Sequence, residues 1–385
     1  MCAMICEINH ICGGCPLRHL PEREYRQQKI EQFNKLVGNI RQADIVCGEP
    51  IFIADSQRRR AELTFLRRKG NLLLGFNGAQ SHDIADLKQC LALTPTLNAI
   101  LPDVRRLLED LCAVQTHKKV KNKVLTEQIL QGEIWLTEAE NGVDILLEID
   151  IEPSFEHRII ISEWAQNNAA VIRLSVGKKN TRPETIIEKT PPFITIGGYR
   201  VLIPAGTFLQ PSAAGEKALS GLVQKYLGDT TGNIADLFCG VGTFSYPLSN
   251  NIKNKITAAD SSAELLAGFQ KTVNAHSIPN IKIVQKNLFK YPFDAAELKN
   301  FTAVVFDPPR AGAGAQVAQI AAMPHCDKPT KIIAVSCHPQ TFINDANTLI
   351  AGGYTIKEIT MVDQFVYTRH FELVALFEKG ENNES

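Results

Sequence analysis

Between about 46 and 195, apolar positions mostly alternate with polar ones, the spacing of half-buried strands. Residues 52–78 predict a hairpin that turns at Lys69-Gly70-Asn71. Residues 133–152 predict a second, with Asn141-Gly142 at its turn, and 171–189 a third. Helical spacing appears twice in the first half. Residues 21–40 place Ile30, Phe33, Leu36 and Val37 on one face, with Arg26 and Lys29 on the exposed side. Residues 93–114 place Ile100, Val104, Leu107 and Leu108 together. From about 196 the pattern changes. Five short apolar runs (233–237, 255–260, 281–287, 301–306, 331–336) alternate with helical segments at 213–227, 244–250, 262–275, 314–322 and 339–350. Two further strands close the chain at 354–365 and 371–379. Such alternation predicts an α/β domain with a mainly parallel seven-stranded, Rossmann-like sheet, its ligand site at the carboxyl ends of the strands. The expected division is 1–92, a cysteine-bearing segment with a basic hairpin; 93–195, a central α+β module; and 196–385, the α/β domain, with helix 21–40 a candidate to pack on it.

Composition narrows the class. With 44% hydrophobic and 21% charged residues, the 385-residue chain is neither disordered nor a membrane protein. The N-terminus lacks a charged stretch followed by an apolar one, so a cytoplasmic protein is expected. Net charge is zero, 41 basic against 41 acidic residues, unlike a simple histone-type nucleic-acid binder. Locally the balance is different. Residues 58–123 hold thirteen Lys/Arg against six Asp/Glu, densest at Arg58-Arg59-Arg60, Arg67-Arg68-Lys69 and Lys118 to Lys123. Residues 124–156 hold nine acids and no Lys/Arg. A polyanion meeting this surface would be met on one side, and Arg58 and Arg60 of the basic hairpin are the residues assigned to it.

Cys6, Cys12 and Cys15 stand as C-x5-C-G-G-C, with glycines that let the backbone fold tightly around a metal centre. Three thiolates do not close a tetrahedral site. Cys90 is the candidate fourth, with Cys2 and Cys47 as alternatives. The spacing differs from paired C-x2-C zinc knuckles and favours an iron–sulfur cluster over zinc.

Each parallel strand of the second half ends in residues suited to chemistry. Asp236-Leu-Phe-Cys-Gly240-Val-Gly242 puts small residues where backbone must approach a ligand. Asp260 follows Gly240 by 20 residues, the place of a carboxylate that holds a ribose diol. Asn287 can meet an adenine edge. With no third phosphate-cradling glycine, these residues favour S-adenosylmethionine over a dinucleotide. Asp307-Pro308-Pro309-Arg310 forms a rigid corner, and Ser336-Cys337-His338-Pro339 sets a thiol at the same sheet edge. A thiolate added to C6 of a pyrimidine makes C5 nucleophilic enough to accept a methyl group, and a base must then remove the C5 proton. Cys337 suits the first role. Glu372, in T-R-H-F-E at 368–372, suits the second.

Together these residues resemble the uracil-5 RNA methyltransferases, class I S-adenosylmethionine-dependent enzymes. The resemblance covers nearly the whole chain through C-x5-C-G-G-C with Cys90, Phe208-Leu-Gln210, DLFCGVGTF, Asp307-Pro-Pro-Arg310, Ser336-Cys337 and T-x-H-x-E. It implies a [4Fe–4S] cluster on Cys6, Cys12, Cys15 and Cys90, and cofactor contacts from Gln210, Phe238, Asp260, Asn287 and Asp307, beside the Gly240 loop. It implies Cys337 as nucleophile, Glu372 as base and Arg60 on an RNA-contacting strand. The cluster, and a length without room for an additional N-terminal β-barrel, imply a monomeric ribosomal type acting on a uridine of 23S rRNA, with transfer RNA as the alternative. The chain departs from the family at His338, where Asn usually follows the nucleophile, and at Val366, where Pro is usual. Arg310 disfavours a 5-methylcytosine enzyme, which carries Cys there, and an N6-adenine enzyme, which carries an aromatic. The remaining rival is an iron–sulfur RNA-binding protein without methyltransferase activity.

Overall fold

The computed structural model describes residues 6–78, 83–120, 123–179 and 181–381. These form two compact units that interleave in sequence. The first comprises residues 6–21, Ala54–Ile194 and Ile203–Ser212; the second comprises Glu22–Ile53, Thr195–Leu202 and the chain from Ala213.

In the first unit seven strands form one sheet, in the order Glu184–Glu188, Val171–Gly177, Gly142–Glu148, Gln131–Ala139, Arg60–Arg68, Asn71–Asn77, Ile84–Asp86. The first expected hairpin is present: Arg68 pairs with Asn71, and Lys69 and Gly70 take positive φ (51° and 84°) as a tight two-residue turn requires. The second pairs Ala139 with Gly142, which places Glu140 and Asn141 at the turn, one residue before the expected dipeptide. The third pairs Arg173 with Glu188 and Val176 with Glu184. Strands Gly142–Glu148 and Val171–Gly177 run parallel, joined through helix Phe155–Asn167. Ser154 caps that helix in a reciprocal box with His157. Its Ile159-Ile160-Ile161 run is β-branched and reads as strand, so the segment carried no helical expectation. Helix Pro95–Leu111 buries Leu97, Ile100, Leu101, Val104, Leu107, Leu108 and Leu111 in the same core. The boundary expected at 92/93 therefore falls inside one sheet and one core.

The second unit is built on a mixed sheet of nine strands, not the seven expected. Seven follow in the order Tyr354–Asp363, Glu372–Lys379, Lys331–Ser336, Ala303–Phe306, Asn233–Leu237, Lys255–Asp260, Ile281–Gln285. The two extra strands, Val46–Cys47 and Ile51–Phe52, are two residues each and pair in parallel with Tyr354–Asp363. Only Glu372–Lys379 runs antiparallel to its neighbours. The apolar runs arise because both faces are covered: Ala303–Phe306 is buried at every position. Phe33 and Leu36, together with residues of helices Gly314–Ala322 and Pro339–Ala351, fill the core of one face. Helix Ala213–Leu227 supplies much of the other. Helix Glu22–Val37 belongs to this unit. Its buried residues are Tyr25, Lys29, Phe33 and Leu36, so Lys29 is not on the exposed side as expected.

Candidate active site

Three parallel strands of the second unit end on one constellation. After Asn233–Leu237 the chain turns through Phe238 (φ 61°), Gly240 (φ 53°) and Gly242 (φ 97°). A Cβ on Gly242 would stand 2.7 Å from Tyr246 and 2.8 Å from Phe269. One on Gly240 would meet nothing within 4 Å, so at that point the loop faces open space. Asp260 fixes the loop: its Oδ2 accepts the Gly240 N–H at 3.1 Å while Oδ1 accepts the Ser262 N–H at 2.9 Å. Asp236 lies beneath, fully buried. Its Oδ2 accepts from Ser245 Oγ at 2.5 Å, its Oδ1 has no partner, and burial raises its pKa to about 7.

Asn287 is not simply presented to a ligand. Its Oδ1 accepts the N–H groups of Phe289 (3.1 Å) and Lys290 (3.2 Å), which commits the oxygen to the turn and leaves the amide donor. The turn presents Phe289, 46% exposed, with its ring 5.3 Å from that of Phe238. The pattern of the sequence did not single out Phe289; an aromatic two residues beyond a strand-end Asn was the available signal.

Strands Ala303–Phe306, Lys331–Ser336 and Glu372–Lys379 carry the second half of the site. The Asp307 N–H donates to Leu237 O at 3.3 Å, tying this corner to the glycine loop's strand. Cys337 is half-buried. Burial, then the charges of Glu372 and Asp307, push its thiol up to about 11, against a smaller opposing effect of Arg310. Glu372 is 3% exposed. Its Oε1 accepts from Gln364 Nε2 at 3.1 Å and its Oε2 has no partner. Burial, then Asp307, raise it to about 8. His338 caps helix Pro339–Ala351, its Nδ1 lying 3.4 Å from the Thr341 N–H. A capping imidazole thus stands next to the thiol. Gln210 lies in the first unit, on Ile203–Ser212; it is buried and its carbonyl accepts from Arg59 Nε at 3.1 Å.

The first unit holds the cysteine group. Cys6, Cys12, Cys15 and Cys90 line one cavity of about 120 Å³ with Arg18, Arg58 and Phe76. Arg18 was not anticipated: it pairs with Asp55 at 2.6 Å and reaches to 3.9 Å of Cys15 Sγ. Cys90 is held by Asn98, whose Oδ1 accepts the Cys90 N–H at 2.8 Å and whose Nδ2 donates to the Cys90 carbonyl at 2.9 Å. Among the described residues, no three Cys, His, Asp or Glu side chains form a group that could hold a metal ion. Cys2 lies outside the described residues, and Cys47 sits in the second unit on Val46–Cys47.

The basic run is only partly a surface. Arg59 is 7% exposed. Arg58 Nε donates to Arg60 O at 3.0 Å. Arg60 lies 4.6 Å from the Trp135 ring centroid and 5.1 Å from that of Phe208, which is 59% exposed; burial lowers its pKa to about 10. The acidic run is also partly internal: buried Asp144 accepts from Arg173 at 2.8 and 2.7 Å. Of the second basic run, Lys121 lies outside the described residues, and the side chains of Lys118, Lys119 and Lys123 are likewise outside them.

Comparison with known proteins identifies the family. Residues 195–380 match the tRNA (uracil-5-)-methyltransferase family model. An uncharacterized RNA methyltransferase of Brucella melitensis is 32% identical over 372 residues, 96% of this chain and 82% of that protein. A 23S rRNA (uracil(1939)-C(5))-methyltransferase of Edwardsiella ictaluri is 28% identical, over 96% of this chain and 80% of its own. Among solved structures, the tRNA (uracil-54, C5)-methyltransferase of Pyrococcus abyssi in complex with S-adenosyl-L-homocysteine shares the fold, with a TM-score of 0.70 at 20% identity over 95% of this chain and 84% of that one. Family model, relatives and fold converge: the chain belongs to the RNA (uracil-5-)-methyltransferases.

Proposed function

We propose that this enzyme methylates C5 of a uridine in 23S rRNA through a covalent adduct between Cys337 and C6 of the base. The observation that carries the reading is the pairing at one sheet edge of a half-buried thiol, Cys337, with a buried carboxylate, Glu372, whose Oε2 has no partner. S-adenosylmethionine, when bound, supplies an electrophilic methyl group. The open face of Gly240, the carboxylate of Asp260, the Asn287 amide and the corner at Asp307 fit such a nucleoside, with Phe238 and Phe289 offering apolar ring surface.

In this reading Cys337, as its thiolate, forms an S–C6 bond, and the electron pair of the C5–C6 double bond moves to C5, which would take the methyl group as the sulfonium S–CH3 bond breaks, with S-adenosylhomocysteine as the leaving group. Glu372 Oε2 then accepts the C5 proton. The double bond re-forms and the C6–S bond breaks, returning the thiolate. Arg310, which opposes the rise in proton affinity of both groups, favours their ionised forms.

Cys6, Cys12, Cys15 and Cys90 would hold a [4Fe–4S] cluster. Each thiolate of such a cluster binds a different iron, so its ligands surround a cavity and do not converge on one point, as they would on a single zinc. The shared cavity fits that requirement. Its role in this reading is structural, fixing the N-terminal segment beside Arg58 and Arg60, which together with Phe208 meet RNA. The relative from Edwardsiella ictaluri favours ribosomal RNA; the Pyrococcus abyssi neighbour acts on transfer RNA and makes that the second reading. Mapping 5-methyluridine by mass spectrometry in total RNA from a deletion strain decides between them. Loss of the modification from 23S rRNA supports the first, loss from transfer RNA the second, and no loss contradicts both.

A further inference from the structure

Helix Glu22–Val37 places two polar side chains where a packing helix would place apolar ones. Lys29 is wholly buried, and its Nζ donates to Asp363 Oδ1 at 2.8 Å; the side chains of the pair are 0% and 1% exposed. Tyr25, also buried, donates its hydroxyl hydrogen to Asp363 Oδ2. Burying an ion pair is a weak route to stability, since the desolvation of two charges offsets most of their attraction. What these side chains touch is more informative.

Asp363 ends strand Tyr354–Asp363, and Glu372 begins the next strand, paired with Val362. Loop 364–371 between them carries the T-x-H motif and delivers Glu372. Lys29 spans the loop's neck, bonded to Asp363 at its start and, at 2.5 Å, to the His370 carbonyl at its end. Tyr25 Oη accepts the Tyr367 N–H at 2.9 Å in mid-loop, and the two rings stand 4.5 Å apart. Tyr367 has a φ of 58°, a conformation that L residues adopt only when their surroundings impose it. Gln364, the first loop residue, donates to Glu372 itself. Helix and loop residues are more than 330 positions apart in sequence, so no local preference of the loop makes these bonds.

We infer that Tyr25 and Lys29 are positioning residues for the general base: they hold loop 364–371 in the conformation that aims Glu372 at the reacting base. The inference rests on the assignment of Glu372 in the proposed function. It has a kinetic signature. The base acts only after C–S bond formation and methyl transfer, so misplacing it leaves adduct formation intact and slows release.

The test uses the full-length enzyme with total RNA from a strain lacking the gene and methyl-labelled S-adenosylmethionine. Wild type, Tyr25→Phe, the charge-neutral pair Lys29→Met/Asp363→Asn, and Glu372→Gln are compared. Five quantities are read: the melting temperature, kcat, KM, the single-turnover rate of adduct formation, and the steady-state fraction of enzyme covalently linked to labelled RNA. Tyr25→Phe keeps the ring and the ion pair and so carries the test if the double variant fails to fold. The expected result is a fall in kcat on the order of ten- to a hundredfold, the scale of a displaced catalytic group, with a rise in linked enzyme, a KM that falls in step so that kcat/KM is unchanged, and an unchanged rate of adduct formation. If Glu372→Gln accumulates linked enzyme and Tyr25→Phe does not, the positioning inference is overturned while the base assignment stands. A lowered melting temperature with adduct formation and release slowed together overturns it too, since the network would then serve the fold. No linked enzyme in Glu372→Gln overturns both.

Discussion

Burial moves the proton affinities of Cys337 and Glu372 in the same direction; the charge of Asp307 raises both, and that of Glu372 further raises Cys337. The thiol of the free enzyme is therefore expected to titrate near pH 11, as the pH dependence of its alkylation by iodoacetamide, followed by peptide mass spectrometry, would show. Asp307→Asn and Glu372→Gln each remove a raising charge, so each should shift that midpoint down; an unmoved midpoint would mean the groups do not interact. Glu372 also links stability to pH. Its folded-state pKa lies above the unfolded value, so the folded state binds the extra proton and its contribution is lost as pH rises through about 8. The melting temperature of Glu372→Gln relative to wild type should therefore climb between about pH 5 and about pH 8. A difference constant with pH would contradict the buried carboxyl.

The glycine loop separates two uses of one residue type. Gly242→Ala drives a methyl group into Tyr246 and Phe269 and should cost the second unit much of its stability. Gly240→Ala meets no atom and should cost only about 1 kcal/mol of backbone strain, yet its Cβ enters the space proposed for the cofactor. The expected result is a nearly unchanged melting temperature with S-adenosylmethionine affinity lost by calorimetry. Retained affinity would move the cofactor elsewhere. At this scale the sequence was informative where structure is local. Five helices of the second half were anticipated to within a residue or two, because their periodicity and the breaking Gly and Pro residues are local signals; the single-turn helix Ala295–Leu298, too short to show a period, was not. The strand-end residues followed, since alternation alone places strand ends at one sheet edge. Helix Phe155–Asn167 was not legible, because three consecutive isoleucines mimic a strand. On Glu22–Val37, Phe33 and Leu36 were rightly placed on the buried face, but Lys29 was not, since a lysine with a partner more than 330 residues away reads as a solvent-facing charge.

For the whole molecule, zero net charge conceals a division of labour between side chains of one sign. Arg59 and Arg173 are structural, buried against Gln210 O and Asp144, whereas Arg68 and Lys69 at the hairpin tip remain exposed. RNA affinity should accordingly fall with salt, and Arg68→Gln with Lys69→Gln should reduce the slope of log K against log[salt] by somewhat under two. A slope unaffected by the pair would take the hairpin tip out of the interface. The cysteine cavity makes a parallel prediction: anaerobically purified protein should carry about four iron atoms per chain, and Cys90→Ala should lose most of them. Full iron retention in that variant would point to Cys2 or Cys47. Of the interleaving of the two units, the packing of helix Glu22–Val37 on the α/β domain was anticipated from its apolar face, whereas the return of Ile203–Ser212 to the first unit was beyond sequence pattern.

The central claim is that methylation of uracil C5 proceeds through a bond to Cys337. It is tested most directly by digesting Glu372→Gln enzyme after reaction with methyl-labelled S-adenosylmethionine and total RNA from the deletion strain, and weighing the peptide that contains Cys337. The account predicts that peptide with the mass of a methylated uridine nucleotide attached at the thiol. Labelled 5-methyluridine formed while the Cys337 peptide stays at its unmodified mass would contradict it.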